Sequence, residues 1–487
     1  MIKNKKKLYF EKKLHENIGK PKELWKAIKS LGLPCKNAAA SNVCLKDKNG
    51  TLNFEDSSNA NTFKTFFENL ANDLVLKLPN APNIYTLAKT LLYYNSLGLS
   101  SNSFNLTHIS EEDMRKCLTN LSPDKASGID NLSGKFLKDG ANVLALPISQ
   151  LCNLSISLST FPQDCKIAKL KPQYKKGSRT EPKNFRPISL LPLLSKLIEK
   201  TIHDQVQNYC NENNIFFAFQ SGFRGKHSTD TCLTYLHDKI LKGFDEGLLT
   251  GMIAIDLQKA FDTIDHEILL SKMPLLGFSN NTINWFRSYL SNRTFHVSLN
   301  SYMSSAGKIV CGVPQGSILG PLLFLLYIND MPQAVESDLF LYADDSGLVF
   351  QHKNISNINQ QLNKDFHNIC LWFIDNKLSI HFGEDKTKCI LFASKQKIKH
   401  AGKLEISFNN IEIKQYSSLT YLGCILDNTL SGEAMAIKSI KKINARLKFL
   451  QRKNDFLTPG LRRLLCNALI QPHFDYVCSS WFPNLTQ

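Results

Sequence analysis

The order of apolar and polar positions divides this chain before any chemistry is considered. Two apolar triplets, Leu339-Phe340-Leu341 and Leu348-Val349-Phe350, flank the small and acidic run Tyr342-Ala343-Asp344-Asp345-Ser346-Gly347. β-Prone runs split in this way predict strand, tight turn, strand, with two adjacent carboxylates at the tip of a hairpin. Gly251-Met252-Ile253-Ala254-Ile255 is an unbroken apolar run, the pattern of a buried strand, and it ends on Asp256. Residues 293–299 alternate as a strand does, 389–392 form a short apolar strand, and 421–427 read as one more. Helical patterns cover 111–121, 194–209, 232–242, 264–273, 322–328 and 355–376, with Ser228 or Thr229 placed to cap the third of these. Near the end, Ile440, Ile443, Leu447 and Leu450 keep helix spacing.

The first hundred residues lack this regularity. They are basic and Asn-rich, with a helical pattern at 22–28 and linker-like stretches at 79–83 and 96–105. Three parts follow: a basic N-terminal extension or linker, partly helical, over 1–105; a regular core over 106–427; and a helical end over 428–487, expected to be truncated.

Charge changes the picture most. The 487 residues carry a formal net charge of +17 and a pI near 9.2, so a polyanion is the first partner to consider. Between 166 and 186 stand Lys166, Lys169, Lys171, Lys175, Lys176, Arg179, Lys183 and Arg186, opposed only by Glu181. Lys175-Lys176-Gly177-Ser178 reads as a hairpin tip, and a basic hairpin is a natural clamp for phosphates. Lys438, Lys441, Lys442, Arg446, Lys448, Arg452 and Lys453 give the last helix a basic face suited to tracking a nucleic-acid backbone. Thirteen scattered cysteines, with no C-x-x-C pair, argue against a disulfide framework or zinc module and suit a reducing compartment. The longest apolar run, 318–328, contains Gly320 and Pro321 and is too short to span a bilayer. The expectation is a soluble, intracellular protein, with no membrane partner.

Candidate chemistry sits where the apolar strands end. Adjacent carboxylates raise one another's pKa, and a bound divalent cation removes that penalty. Mg²⁺ favours one or two protein carboxylates plus substrate phosphates. Asp256, at the end of its apolar strand, is costly without a partner, and the same metal is the natural one. Asp262 reads as a helix cap and His266 as structural. Gly312-Val313-Pro314-Gln315-Gly316 is a bend whose glycines permit close approach of a ligand, and Gln315 is placed to hydrogen-bond an incoming nucleotide or a template.

Eight segments then appear in a characteristic order: KASGIDNLSGKFLK, QYKKGSRTEPKNFRPISLLPLLSKLIEK, FQSGFRGKHSTD, AIDLQKAFDTIDH, GVPQGSILGPLLFLLYINDM, YADD, KTKCILF and YLGCILD. Together, over about 121 to 481, they resemble the reverse transcriptases of non-LTR (LINE-type) retrotransposons, especially the jockey-like group. The resemblance implies an α+β right-hand polymerase, with fingers and an antiparallel-sheet palm in 106–427 and a helical thumb in 428–487. It implies metal ligation by Asp256, Asp344 and Asp345, with two Mg²⁺ ions and Mn²⁺ as a substitute. Lys386 falls at the lysine assigned to protonating the leaving pyrophosphate. Phe261 falls at the aromatic that blocks a nucleotide 2′-OH, and Arg186 with Lys175 or Lys176 at the positions that hold triphosphate. Lys169, Lys171, Arg224, Lys438, Lys442 and Arg446 become candidate nucleic-acid contacts. The implied activity is RNA-directed DNA synthesis from a DNA 3′-OH primer, with RNA template, DNA primer and dNTPs as partners.

Two departures from the family pattern, Gly128-Ile129-Asp130-Asn131 for Gly-Pro-Asp-Gly and Gln173 for an apolar residue, lie away from the metal positions. No apurinic-type endonuclease and no Cys/His knuckle is recognisable in these residues, so an endonuclease is expected on the full-length element. The competing reading is a retrotransposon-derived relic that binds nucleic acid without catalysis. A viral RNA-dependent RNA polymerase is disfavoured by Phe261. The nucleus is the expected site of action, after cytoplasmic synthesis, with Lys3 to Lys7 as a candidate import signal.

Overall fold

Four of the apolar runs pair into one antiparallel sheet, in the spatial order Lys388–Phe392, Leu249–Ile255, Asp345–His352, Asp338–Tyr342. Successive side chains of a strand face opposite ways, and here both faces are covered. Ile253, Leu348 and Leu391 pack with Ile358, Leu362 and Phe366 of the helix Ile355–Asp375. Met252, Val349, Phe340 and Ile390 pack with Leu233, Leu236 and Ile240 of the helix Thr229–Asp245. Burial on both sides explains why these strands read as continuous apolar runs. The computed structural model describes residues 2–32, 43–46, 50–98, 103–383, 385–454 and 457–482.

A second sheet stands beside the first. Ile167–Tyr174 lies between Phe185–Leu190, antiparallel to it, and Arg293–Leu299, parallel to it. The architecture is α+β, as expected. The buried helix Leu319–Ile328, apolar all round, fills the core beside the central sheet. Ser228 caps the helix Thr229–Asp245 in a capping box with Thr231.

The first hundred residues are distributed over the rest of the molecule. Leu14, Ala27, Ile28 and Leu31 pack with Phe449, Leu450, Leu461 and Leu465 of the C-terminal helices. Ala60 and Phe63 of the helix Asp56–Val75 pack under the second sheet with Phe185 and Phe295. The linker-like stretch at 79–83 is tied down at its end: the N–H groups of Asn83, Ile84 and Tyr85 all donate to the Asp375 carboxylate. Of the stretch at 96–105, residues 99–102 lie outside the described residues, and Phe104 exchanges backbone bonds with Gly277 and Ser279.

Three readings of the sequence are corrected. Residues 421–427 are not one strand. Ser418–Tyr421 and Cys424–Asp427 form a hairpin about Leu422-Gly423, whose φ values of 46° and 82° suit a two-residue turn. The last long helix, Glu433–Arg452, buries Met435, Ser439, Ile443, Phe449 and Leu450, whereas Ile440 and Leu447 are exposed. Its neighbours cover a face rotated from the one the apolar spacing suggested. Lys166 is only 4% exposed, so it cannot join the surface cations of 169–186 as it stands. All cysteines among the described residues are free thiols. No helix among them is long and apolar enough to cross a membrane.

Candidate active site

Register decides which acidic groups meet. Ser346 pairs with Ile255 across the central sheet, so Asp345 stands opposite Asp256 at the same end. Asp345 also pairs with Tyr342, leaving Ala343-Asp344 as the two-residue turn between strands. Ala343 takes a left-handed backbone, φ 55°, where an alanine is strained. The three carboxylates act on one another. Burial raises the pKa of Asp345 to about 6, and the charges of Asp344 and Asp256 add to the rise. Burial also raises Asp344, again with Asp256 contributing.

Cations surround this acidic end. Lys386 Nζ lies 2.6 Å from Asp256 Oδ2. Lys175 and Arg186, from the tip and returning strand of the basic hairpin, both pull the Asp344 pKa down. Burial lowers the pKa of Lys175, and its neighbours Arg186 and Lys386 lower it further. Lys176 stands further out, exposed, its charge felt at His381. His381 itself donates its backbone N–H to Asp256 O at 2.8 Å.

A carboxylate set of this kind suits a hard divalent cation. As they stand the side chains are not drawn in around one point. Among the described residues no group of three or more Asp, Glu, His or Cys has metal-holding spacing. Asp256 is turned onto Lys386, which supplies its counter-charge.

Asp262 is not the helix cap it was expected to be. Asp265 caps the helix His266–Lys272 by accepting from Ile268 N–H at 3.0 Å. Asp262 instead accepts the Gln315 carboxamide on both oxygens, at 2.8 and 2.9 Å. Burial pushes this carboxyl up to about 6, against Lys259, Gln315 and Arg186. Backbone bonds from Gly312 N to Ile264 O and from Val313 N to Phe261 O fasten the Gln315 loop to the same turn. A Cβ on Gly312 would meet Asp262 O at 2.6 Å, so only glycine permits the approach. His266, read as structural, hydrogen-bonds Gly312 O. Phe261 is half-buried, stacked on Phe324 with ring centres 4.7 Å apart and edge-on to the exposed Phe223.

Residues 173–426 match the reverse transcriptase (RNA-dependent DNA polymerase) family. The chain belongs to that family. It is 27% identical to the probable RNA-directed DNA polymerase from transposon BS of Drosophila melanogaster, over 97% of this chain and 52% of that protein. It is 26% identical to the corresponding X-element protein of the same species, over 94% of this chain and 49% of that protein. The polymerase of mobile element jockey, also from Drosophila melanogaster, is 29% identical over 77% of this chain and 41% of that protein. The chain spans about half the length of these relatives.

The reverse transcriptase match runs from the basic hairpin through the Asp344 turn to the hairpin at 418–427, so it contains every group described above. The expected nucleic-acid contacts are found in different conditions. Lys171 and Lys442 are exposed, Lys169 and Arg446 half-buried. Lys438 donates to Gly423 O at 2.9 Å, at the tip of the hairpin. Arg224 donates to the carbonyls of Phe217 and Gln220, folding its own loop. Sequence reasoning passed over Gln220, Asp262 as partner of Gln315, and Phe223. All four lie in quoted segments: Gln220 and Phe223 in FQSGFRGKHSTD, Asp262 in AIDLQKAFDTIDH and Gln315 in GVPQGSILGPLLFLLYINDM.

Proposed function

We propose that this chain is the polymerase core of a non-LTR retrotransposon, an RNA-directed DNA polymerase extending a DNA 3′-OH on an RNA template. The observation that carries this reading is the register that brings Asp256, Asp344 and Asp345 to one end of the central sheet, beside Lys386, Lys175 and Arg186. In this reading the central sheet is the palm, the second sheet the fingers, and the helices after 428 the thumb. Asp256, Asp344 and Asp345 would hold two Mg²⁺ ions, or Mn²⁺, which would supply Lewis acidity for the primer 3′-OH and charge neutralisation for the leaving pyrophosphate.

The chain's own groups do the rest. Lys175 and Arg186 bind the triphosphate from the basic hairpin. Lys386 holds a proton on Nζ for the pyrophosphate, and its contact with Asp256 supports that reach. Gln315 has its amide N–H groups engaged by Asp262, so Oε1 is left to accept a hydrogen bond from the nucleotide. The Phe261 ring excludes a 2′-OH by shape. Action on chromosomal DNA puts the working protein in the nucleus.

Extension of a DNA primer on a homopolymer RNA with Mg²⁺ tests the reading. Product is expected from the chain and far less from Asp344→Asn. A chain that binds primer–template tightly yet never extends it would instead be a nucleic-acid-binding relic.

A further inference from the structure

The outer edge of the central sheet, at Asp338–Tyr342, is covered where it approaches the acidic turn. Leu341 N donates to Phe219 O at 3.0 Å, and Ser221 N donates to Leu341 O at 2.8 Å. This lays residues 219–222 along the edge as a short parallel addition bridged at Gln220 and Leu341. The Gln220 side chain, 3% exposed, turns inward at that point. Its Oε1 accepts from Gly222 N at 2.7 Å and from Ala343 N at 2.9 Å. A Cβ on Gly222 would lie 2.2 Å from Ala343 N, so backbone rests directly on backbone there.

The residue held in this way is the strained one. Ala343, at φ 55°, lacks the freedom of glycine, so neighbouring contacts must impose its backbone. The Gln220 bond fixes its N–H, and Gly222 lets the support come close enough. Asp344 follows immediately, so the direction of its carboxylate depends on the Ala343 backbone held in this way. Gln220 Nε2 and Ser221 Oγ are buried with no hydrogen-bond partner among the described residues. An apolar side chain of similar size would avoid that desolvation, so the fold retains the amide at a cost, for the two bonds its oxygen accepts.

We propose that Gln220 is a positioning residue, which holds the Ala343-Asp344 turn in the orientation that lets Asp344 ligate divalent metal together with Asp256. The inference rests on the polymerase reading above. Gln220→Met keeps length and bulk and removes the acceptor. Three quantities are compared with wild type: Mn²⁺ affinity by electron paramagnetic resonance on the primer–template complex, the Mg²⁺ concentration for half-maximal extension, and the dNTP KM. Removing a group that orients a metal ligand typically weakens binding by about 10-fold or more, so both metal constants should worsen by about that factor while the dNTP KM holds; Tm falls modestly, because the Gly222 and Ala343 N–H groups lose their acceptor. Ser221→Ala, which deletes the neighbouring buried hydroxyl without touching Ala343, should leave all of them unchanged. If Gln220→Met fails to fold, Gln220→Asn, which shortens the reach, gives the same readout. Metal constants equal to wild type in the folded variant would overturn the proposal, as would equal losses in Ser221→Ala. If Asp344→Asn keeps both Mn²⁺ binding and extension, the polymerase reading itself fails, whatever Gln220 does.

Discussion

The two sheets handle charge in opposite ways. The central sheet ends in half-buried, mutually repulsive carboxylates, and burial raises the pKa of Asp344 and Asp345. The second sheet carries its cations on the exposed residues Lys171, Lys175, Lys176 and Arg186. Buried charge of one sign is unfavourable and needs a rigid scaffold to persist. Exposed charge costs little and is screened by salt. The acidic end therefore has the character of a place where chemistry is done, and the basic edge that of a place where a polyanion is held. Substitutions at the two should differ in size and in kind.

The largest effect is expected at the acidic turn. Asp344→Asn should lower primer extension by about 10³-fold, near the upper range for loss of a group that stabilises developing charge. Primer–template affinity at fixed salt should change little, since binding depends on the other sheet. A parallel loss of binding would erase the contrast between the two ends.

Next comes Phe261→Val. The ring lies between Phe324 and Phe223 at the turn that follows Asp256. If it forms the floor of the sugar site, shortening it should raise ribonucleotide incorporation by about 10–100-fold, the span that shape alone can discriminate. Deoxynucleotide incorporation should persist. Loss of both activities, with a stability drop of about 3–5 kcal/mol, would make the ring core packing instead.

These elements were unequally legible. The hairpin at Asp344, the Asp256 strand and the 293–299 strand show in the sequence because each is a run whose period or continuity reflects burial. The turn at Leu422-Gly423 was hidden because residues on both sides are apolar, and Gly423 alone marked it. Gln220 and Ala343 meet across 123 positions, and Asp262 and Gln315 across 53. A side chain accepting from a distant backbone N–H leaves no periodicity to read. Leu14 and Ile28 gave no sign of their partners because those lie on helices more than four hundred residues away.

Asp262→Asn sharpens the comparison through pH. The folded carboxyl is raised to about 6 from an ordinary 3.8, so the native state keeps its proton where the unfolded chain has lost it. Stability on this account is fullest below the ordinary value and falls as pH climbs from about 4 to 6. The neutral amide escapes the loss. The variant should be more stable than wild type at pH 7 by roughly 1–3 kcal/mol, with the advantage vanishing below about pH 4. It should also raise the dNTP KM, because an amide can no longer accept both Gln315 N–H contacts through two carboxylate oxygens. Chemical denaturation at pH 4 and 7 reads the first effect and steady-state kinetics the second. A variant less stable at both pH values would mean that the Gln315 bonds outweigh the buried charge.

The smallest effect belongs to the basic edge. Lys171 is exposed on the strand Ile167–Tyr174, opposite Ile188 of the returning strand. Lys442 is exposed on the helix Glu433–Arg452, far along the chain. If each neutralises one phosphate, each releases about one counterion on binding, and affinity falls with salt along a slope that grows with the number of such contacts. Lys171→Ala and Lys442→Ala should each weaken primer–template binding only a few-fold at moderate salt and reduce the magnitude of the log–log salt slope by about 1. The double variant should reduce it by about 2, since the sites share no partner. Extension rate at saturating primer–template should be unchanged, which separates these cations from Lys386 beside Asp256. Lys166→Ala gives the internal control. That lysine is buried in the same stretch of sequence, so its removal should leave the salt slope as it was. A slope that fell for Lys166→Ala as much as for Lys171→Ala would show that the effect reports net charge on the molecule rather than contact along this edge.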